Sequence, residues 1–550
     1  MTSTIAFVGA GPTTLYSLAA LVDRTDRDVR VTVYEAQSTA GPGAPYRPGW
    51  NDPAMLSNIA SIEIPPLDET LLEWVKNKSP AERRALGIDP QGIDDRDFVP
   101  RVALGRYFQD RFDSLVAKAR ARGIAIEVRT GSRVADVRDV NPGVQLSVVT
   151  SGQAATREVF DHVVLATGHQ WPSRQEVRPG YFLSPWPASA LAALPPVNVG
   201  VRGSSLTAID AAVGLAVSHG AFVRTEAGLA FAPSPNTSDF MITLMSRKGL
   251  LPEADFYFPL PHAPLAICTS EAVQALIEED RAHLLDAVFE LFRRELVLVD
   301  PDYVRSTELE QATVDTFGER YFAQRACADP FTWAESDLAE ARHNHAARLT
   351  IPWRDAILRM HEVVAAIVPH LNADQFERFN RAFKPVFVDA YAGVPHESIE
   401  RMLALHRAGK LEVLALGDGY DLDTDRPEGG VLLRLAGKTR YFPIFIEATG
   451  QRALSGLQFP FLSLLEQGIV RDEEATETPG ASRGIVIDDQ YQIVAEGLQA
   501  GRLFCVSLPF IMGRHPFAQG LTSSKEMGDV VGCALAAALQ RRSSERAEAA

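Results

Sequence analysis

With 550 residues the chain is too long for a single hydrophobic core and predicts roughly two to four domains. Hydrophobic residues at 46% and charged residues at 23% form an ordinary globular balance, which excludes wholesale disorder. A formal charge of −16, from 54 basic and 70 acidic side chains, repels phosphate backbones and excludes nucleic acid as an expected partner.

The N-terminus enters an apolar strand, Ile5–Val8, without the basic stretch and cleavage site of a signal peptide. No apolar run reaches the roughly 20 residues of a membrane span. Cys268, Cys327, Cys505 and Cys533 lie far apart and form no CxxC, the pattern of reduced thiols. The expectation is a soluble, cytoplasmic protein with no membrane partner.

After Ile5–Val8 come Gly9, Ala10, Gly11, Pro12, Thr13 and Thr14, then the helical run Leu15–Val22 and a second strand, Val29–Tyr34, ending at Glu35. A tight turn at Gly9 and close backbone approach at Gly11 suit a pyrophosphate at a helix N-terminus. Glu35 stands near the spacing, roughly 20 residues on, at which a carboxylate meets ribose hydroxyls. The third glycine of the pattern is replaced by Thr14, so a strand–helix turn with incidental glycines is the competing reading. A Gly/Pro-rich turn through Gly41, Gly43 and Tyr46 follows, then Met55-Leu56-Ser57-Asn58. Strands are predicted at Ala125–Arg129 and near Ser132–Val137, and another at Val163–Leu165, which ends in Ala166-Thr167-Gly168. That ending recurs at Ala448-Thr449-Gly450.

The stretch VTVYEAQSTAGPGAPYRPGWNDPAMLSNIAS, with Phe98-Val99-Pro100-Arg101, resembles the N-terminal module of a broad group of bacterial FAD/NAD(P)-binding flavoproteins. The resemblance implies FAD contacts at the Gly9–Thr14 turn, Glu35, Ala36, Gly43, Tyr46, Asn58, Arg101 and Val134. It implies further ones at Ala166, Thr167, Gly168 and Gly450. In such proteins an apolar strand ending in Ala-Thr-Gly marks a crossing between the FAD and NAD(P) domains.

A second strand–turn–helix begins at Val197–Val201, with Gly203, Ser204, Ser205, Leu206 and Thr207 at the turn and a helix through Val217. Residues 218–238 read as an irregular segment. The strand Met241–Met245 then ends in Ser246-Arg247-Lys248, where cations would accommodate a 2′-phosphate. Arg247 and Lys248 predict NADPH over NADH, against the alternative of a solvated basic turn.

Residues 265–408 read as a helical insertion, with helices at Glu271–Val297 and Trp353–Ala382. Insertions of that size cover active sites or form subunit contacts, so a homo-oligomer is one expectation. His343 and His345 point to different sides of a helix with no third ligand beside them, so no metal is expected. Near the C-terminus a strand at Arg502–Val506 leads to a loop holding Arg514, His515, Gln519, Gly520, Leu521 and Thr522, then a helix from Lys525 to about Leu539. In the superfamily this last helix faces the flavin, and a helix N-terminus stabilises charge on reduced flavin. Arg514 and His515 are the catalytic candidates, although fixing the loop would equally explain them.

The expected fold is α/β: two Rossmann-like dinucleotide-binding domains, for FAD and NADPH, with a largely helical insertion. The expected boundaries are 1–169 for the first part of the FAD domain, 170–264 for the NADPH domain, 265–408 for the insertion and 409–550 for the return. The absence of a dithiol removes a disulfide-reductase reading. GAGPTTLYSLAALVDR and the chain length resemble bacterial N-hydroxylating flavin monooxygenases, in particular the L-aspartate N-monooxygenases that form nitrosuccinate. That resemblance implies oxygen as co-substrate, a C4a-hydroperoxyflavin, and cations clamping the substrate carboxylates. Arg342, Arg354 and Gln519 are the substrate-binding candidates beside Arg514 and His515. A monooxygenase or reductase for another small molecule, and a non-catalytic flavoprotein that docks a partner, remain as alternatives.

Overall fold

The computed structural model describes residues 2–25, 29–172, 174–279, 282–473, 482–518 and 520–549. The chain divides into two compact units, one made of Met1–Pro53, Ile59–Gln170 and Gln451–Ala550, the other of Ala54–Asn58 and Trp171–Gly450. In the first unit, β1 (Ser3–Val8) is buried almost throughout, the condition of a parallel strand covered on both faces. The first helix (Pro12–Arg24) returns the chain to β2 (Val29–Tyr34), and a long helix (Arg101–Ala121) leads to β3 (Ala125–Arg129). The antiparallel strands β4 (Ser132–Val140), β5 (Gly143–Thr150) and β6 (Thr156–Phe160) form a separate three-stranded sheet before β7 (His162–Leu165).

The second unit opens with the short pair β8 (Glu176–Arg178) and β9 (Tyr181–Phe182), then β10 (Asn198–Arg202) and a helix at Leu206–His219. Residues expected to be irregular form a hairpin instead, β11 (Gly220–Thr225) with β12 (Gly228–Pro233). Phe222 and Phe231 face each other across it, ring centroids 5.3 Å apart, and such an aromatic pair holds a short hairpin together. After β13 (Met241–Ser246) the described residues between Ser270 and Arg407 are largely helical. Neither helix expected there is continuous. Helices at Ser270–Glu279 and Leu284–Val299 replace the first, and the carbonyl of Ala282 accepts from Gln375 at 2.6 Å. The second stops at Ala365 and a turn carrying Pro369 intervenes; Asn372 then caps a new helix by accepting from the Gln375 amide. Phe289, Phe292, Phe317, Phe383 and Phe387 form the aromatic centre of this region, rings 4.8–6.1 Å apart.

The chain does not return to the first unit at 409. β14 (Leu411–Ala415) pairs with β13, and a meander of β15 (Tyr420–Asp423), β16 (Val431–Leu435) and β17 (Lys438–Phe442) leads to β18 (Ile444–Glu447), which pairs with β10. The second sheet therefore runs β14-β13-β10-β18-β9-β8, and the return begins at Gln451. β19 (Leu503–Cys505) completes the first sheet in the order β19-β7-β1-β2-β3.

The C-terminal helix (Leu521–Ala549) lies along the first helix of the chain. A Cβ on Gly528 would stand 2.6 Å from the Tyr16 Cβ, and one on Gly532 2.5 Å from the Ala20 Cβ. With Thr13 Oγ1 3.2 Å from Ser524 Oγ, the contacts advance together along both chains, so the two helices are parallel and begin side by side. No helix among the described residues is long and apolar enough to cross a membrane.

Candidate dinucleotide sites

The first turn leaves β1 at Gly9, whose φ is +104° and whose amide donates to the Tyr34 carbonyl at 2.8 Å. A Cβ there would meet the Ala166 carbonyl oxygen at 2.2 Å, so the Ala-Thr-Gly ending of β7 abuts the turn. Gly11 caps the first helix without a side-chain bond, no acid occupies the first turn, and Pro12 sits at its first position. The amides of Thr13 and Thr14 precede the first intrahelical donor, Leu15, and are directed out of the helix end. A Cβ on Gly11 would lie 3.3 Å from the Gly43 Cα, which places the Gly/Pro segment against the turn; the Gly41 amide ties it there through the Ala10 carbonyl. This bare cradle fits the pyrophosphate of FAD.

Thr14 has a structural reason. Fully buried, it donates its hydroxyl to the Gly9 carbonyl at 2.7 Å and closes the turn on itself. Glu35 also does more than wait for a ribose. Its two oxygens accept from the amides of Ala10 and Gln37 at 3.0 and 2.9 Å, so the acid is fixed before any ligand arrives. Tyr46 lies under the long helix, where a Cβ on Gly105 would strike its carbonyl, and burial pushes its hydroxyl up to about 12. Ala36 is exposed at the strand end, and Val134 is buried in the core of this unit. Asn58 is exposed and falls in the short segment grouped with the second unit.

At the far edge of the first sheet the Thr167 amide and hydroxyl both engage Ser507 Oγ, at 3.1 and 2.8 Å. Gly168 takes φ +67°, and Gln170 is held by Thr167 and Gln451. His169 is thus fixed between two tied neighbours, and burial, then the charge of Arg101, pulls its imidazole down to about 4. In the sequence the one cue to His169 is its place directly after Ala-Thr-Gly.

The second turn repeats the first. Gly203 takes φ +142°, and a Cβ there would meet the Ala448 carbonyl oxygen at 2.3 Å. Ser205 caps the helix Leu206–His219 without a side-chain bond and no acid occupies its first turn, so the Leu206 and Thr207 amides are again directed outward. Gly450, φ +79°, comes within 3.9 Å of Thr207 Oγ1 when given a Cβ. At the end of β13, Ser246 Oγ accepts from the Gly249 amide. Arg247 is exposed with no ion pair among the described residues, whereas Lys248 turns inward over the Phe322 ring, 3.1 Å from its centroid. Burial, then the charge of Arg247, pulls Lys248 down to about 8. These residues fit a 2′-phosphate through Arg247; Lys248 is engaged elsewhere.

The substrate candidates are less free than their spacing suggested. Arg354 is buried, 3.0 Å from Glu253 and 3.5 Å from Asp337, with its guanidinium over the Phe256 ring. Arg342 pairs with Glu400 at 2.8 Å. Arg514 pairs with Glu473 at 2.8 Å and Asp489 at 2.9 Å, which fixes the loop before the C-terminal helix. Each charge already has a carboxylate, so none of the three is a ready clamp for another. His515 packs on Tyr491, centroids 5.0 Å apart, and burial, then Arg514, pulls it down to about 4; its Nε2 is buried with no hydrogen-bond partner among the described residues. Gln519 lies outside the described residues. Gly520 precedes the C-terminal helix, whose first turn, from Leu521 and Thr522, holds no acid. No cluster of His, Cys, Asp and Glu among the described residues could hold a metal ion.

Comparison with known proteins agrees with this geometry. Residues 6–170 match the FAD-NAD(P)-binding family and residues 269–391 the YdhS-like middle domain. The chain is 39% identical over 528 residues to protein YdhS of Escherichia coli (strain K12), covering 96% of both. Among solved structures it resembles the ornithine N-hydroxylase of Kutzneria sp. 744, with a TM-score of 0.50 at 14% identity over 99% of this chain and 100% of that one. It also resembles the reduced form of the ornithine hydroxylase of Pseudomonas aeruginosa, with a TM-score of 0.50 at 12% identity over 98% and 100%. At such identities the likeness establishes a shared fold.

Proposed function

The chain belongs to the YdhS family and is a flavoprotein of the two-dinucleotide fold, and from that premise we propose that it is an NADPH-dependent monooxygenase that hydroxylates the nitrogen of a small polar amino acid. The observation that carries the reading is the repeated turn: two glycines pressed on two Ala-Thr-Gly carbonyls, each beside an uncapped helix N-terminus. FAD supplies the hydride-accepting and oxygen-activating chemistry when bound. The chain's own residues do the rest. The Thr13 and Thr14 amides receive the pyrophosphate, Glu35 the ribose, and the start of the C-terminal helix the negative charge of reduced flavin. Arg247 selects the 2′-phosphate. His169 and His515 stay neutral at pH 7, so neither adds a positive charge to its surroundings. The four cysteines are free and none belongs to a CxxC, so no dithiol relays electrons onward.

L-aspartate, oxidised stepwise toward nitrosuccinate, is the substrate that the sequence resemblance favours. The carboxylate partners of Arg342, Arg354 and Arg514 weigh against those side chains as its clamp. The test follows NADPH oxidation under air by the yellow protein with and without L-aspartate. Aspartate-dependent turnover with hydroxylamine or nitrosuccinate as product supports the full reading. Turnover that yields only peroxide, or that ignores every amino acid offered, overturns N-hydroxylation and leaves a reductase or a monooxygenase for another substrate.

A further inference from the structure

The middle domain turns several buried charges toward one short segment, residues 249–255, which follows directly from the exposed Arg247 at the end of β13. The carbonyls of Ser246 and Arg247 accept from the Leu416 and Gly417 amides, both at 2.9 Å, and the Gly249 amide closes a turn back onto Ser246 Oγ at 3.1 Å. A Cβ on Gly249, at φ +66°, would stand 2.8 Å from the Ala415 Cβ, so the turn is pressed against the end of β14.

Beyond the turn, helices take over. Arg325, on the helix Val314–Cys327, donates to the Leu251 carbonyl at 3.1 Å and grips both oxygens of Asp389 at 2.8 Å. Three residues earlier on that helix, Phe322 underlies Lys248. Glu253 lies 3.0 Å from Arg354 and 3.4 Å from Arg325, and accepts from the Trp333 indole at 3.1 Å. Asp337, on the helix Pro330–Ala347, accepts from the Ala254 amide at 2.6 Å. Arg325, Asp337, Arg354 and Asp389 all fall within residues 269–391, the YdhS-like middle domain.

These side chains are 6–14% exposed, and burying charge is costly: apolar packing of the same volume is often as stable. What a charged network adds is direction, because a guanidinium fork fixes the atoms it holds in its own plane. Here the fork of Arg325 holds a backbone carbonyl four residues after Arg247.

We infer that the middle domain sets the coenzyme preference of the second turn, with Arg325 as its positioning residue: by holding the Leu251 carbonyl and, through Phe322, Lys248, the helix Val314–Cys327 keeps the end of β13 where Arg247 meets a 2′-phosphate. The inference rests on the proposed role of Arg247. NADP⁺ differs from NAD⁺ by that phosphate alone. A strand end displaced by roughly an ångström loses the bond that tells the two apart and keeps those common to both.

The experiment measures dissociation constants of NADP⁺ and NAD⁺ by calorimetry on the full FAD-loaded chain. R325K keeps a charge but not the fork, and is expected to weaken NADP⁺ binding about tenfold and NAD⁺ binding less than about twofold. In R247A the discriminating bond is already gone. Adding R325K there is expected to change NADP⁺ binding less than about twofold, because substitutions that act through one contact are not additive. A purely structural role would weaken both coenzymes alike, or show its full effect again in the double variant, and either result overturns the inference. So does an R325K chain that binds NADP⁺ as tightly as the unaltered one. If R325K does not fold, D389N, which leaves the guanidinium in place and loosens its fork, is read in the same way. R247A alone separates the two readings. An unchanged ratio of the two constants in R247A sinks the role of Arg247 and this inference with it, whereas a preference lost in R247A but kept in R325K sinks only this inference.

Discussion

The two dinucleotide turns share a backbone and differ in almost every side chain. At Gly9 and Gly203 a Cβ would lie 2.2 and 2.3 Å from the carbonyls of Ala166 and Ala448, and both alanines donate their amides back to the neighbouring strand, to Val8 and Arg202. One packing requirement therefore explains four motifs: each first glycine exists for its Ala-Thr-Gly, and each Ala-Thr-Gly for its glycine. The third small position is solved twice over. Thr14 bonds the turn internally, whereas Ala208 fills the space with a methyl, 3.3 Å from where a Cβ on Gly203 would stand. The strand following each turn then ends in opposite charge, Glu35 against Arg247. On the proposed reading, the shared backbone places a dinucleotide at each turn and the side chain at the strand end distinguishes the two.

Breaking the shared part should have the largest effect. Gly9→Val combines a forbidden φ with a backbone collision and should cost at least ~3 kcal/mol, seen as colourless, aggregation-prone protein. Gly203→Val should do the same to the second turn alone, giving protein that binds FAD by its visible spectrum but is not reduced by NADPH. If both variants behave alike, the two turns are not separable. The charge difference is sharpened next. Arg247→Ala should raise the KM for NADPH by ~10–100-fold with little change for NADH, the loss of one or two charge-assisted bonds. Lys248→Ala should change either KM by less than ~3-fold, since its partner is Phe322. Equal effects from the two substitutions would mean that Lys248 leaves the ring when NADPH binds. Smaller still, Thr14→Val keeps the shape but loses the bond to Gly9, and should lower stability by ~1–2 kcal/mol with FAD retained.

The smallest expected effect concerns pH. His169 follows the first Ala-Thr-Gly, and Gln451 follows the second. The folded chain holds His169 at about 4, below the ordinary histidine value of 6.5, so the unfolded chain binds more protons between those values. Stability from this group is present above pH 6.5 and lost as pH falls toward 4. Thermal unfolding followed by flavin release should therefore show a shallower loss between pH 7 and 4.5 in His169→Gln. An unchanged slope would mean that His169 is protonated in the folded state.

The strands Val29–Tyr34 and Ala125–Arg129 stand where the sequence put them, for different reasons: the first is buried over most of its length, whereas the second, at the sheet edge, is a short strand of alternating exposure. The boundary at 409 was not legible. Leu411–Ala415 joins β13 only through a pairing that spans the whole helical region, and nothing local announces it. Arg247 stands exposed at a strand end, as its position in the sequence suggested, but the turning of Lys248 onto Phe322 depends on a helix some seventy residues away. The carboxylates Glu253 and Glu473 that occupy Arg354 and Arg514 also lie well outside the local sequence, so composition near each arginine carried no sign of them.

The parallel pairing of the helices Pro12–Arg24 and Leu521–Ala549 also has a consequence for folding. The two partners are separated in the chain by the whole second unit, and β19 likewise reaches β7 only across it. Until Gly528 and Gly532 dock on Tyr16 and Ala20, the first helix lacks that packing partner. The second unit, contiguous apart from Ala54–Asn58, can form from one stretch of chain, whereas the first closes only when its separated segments meet.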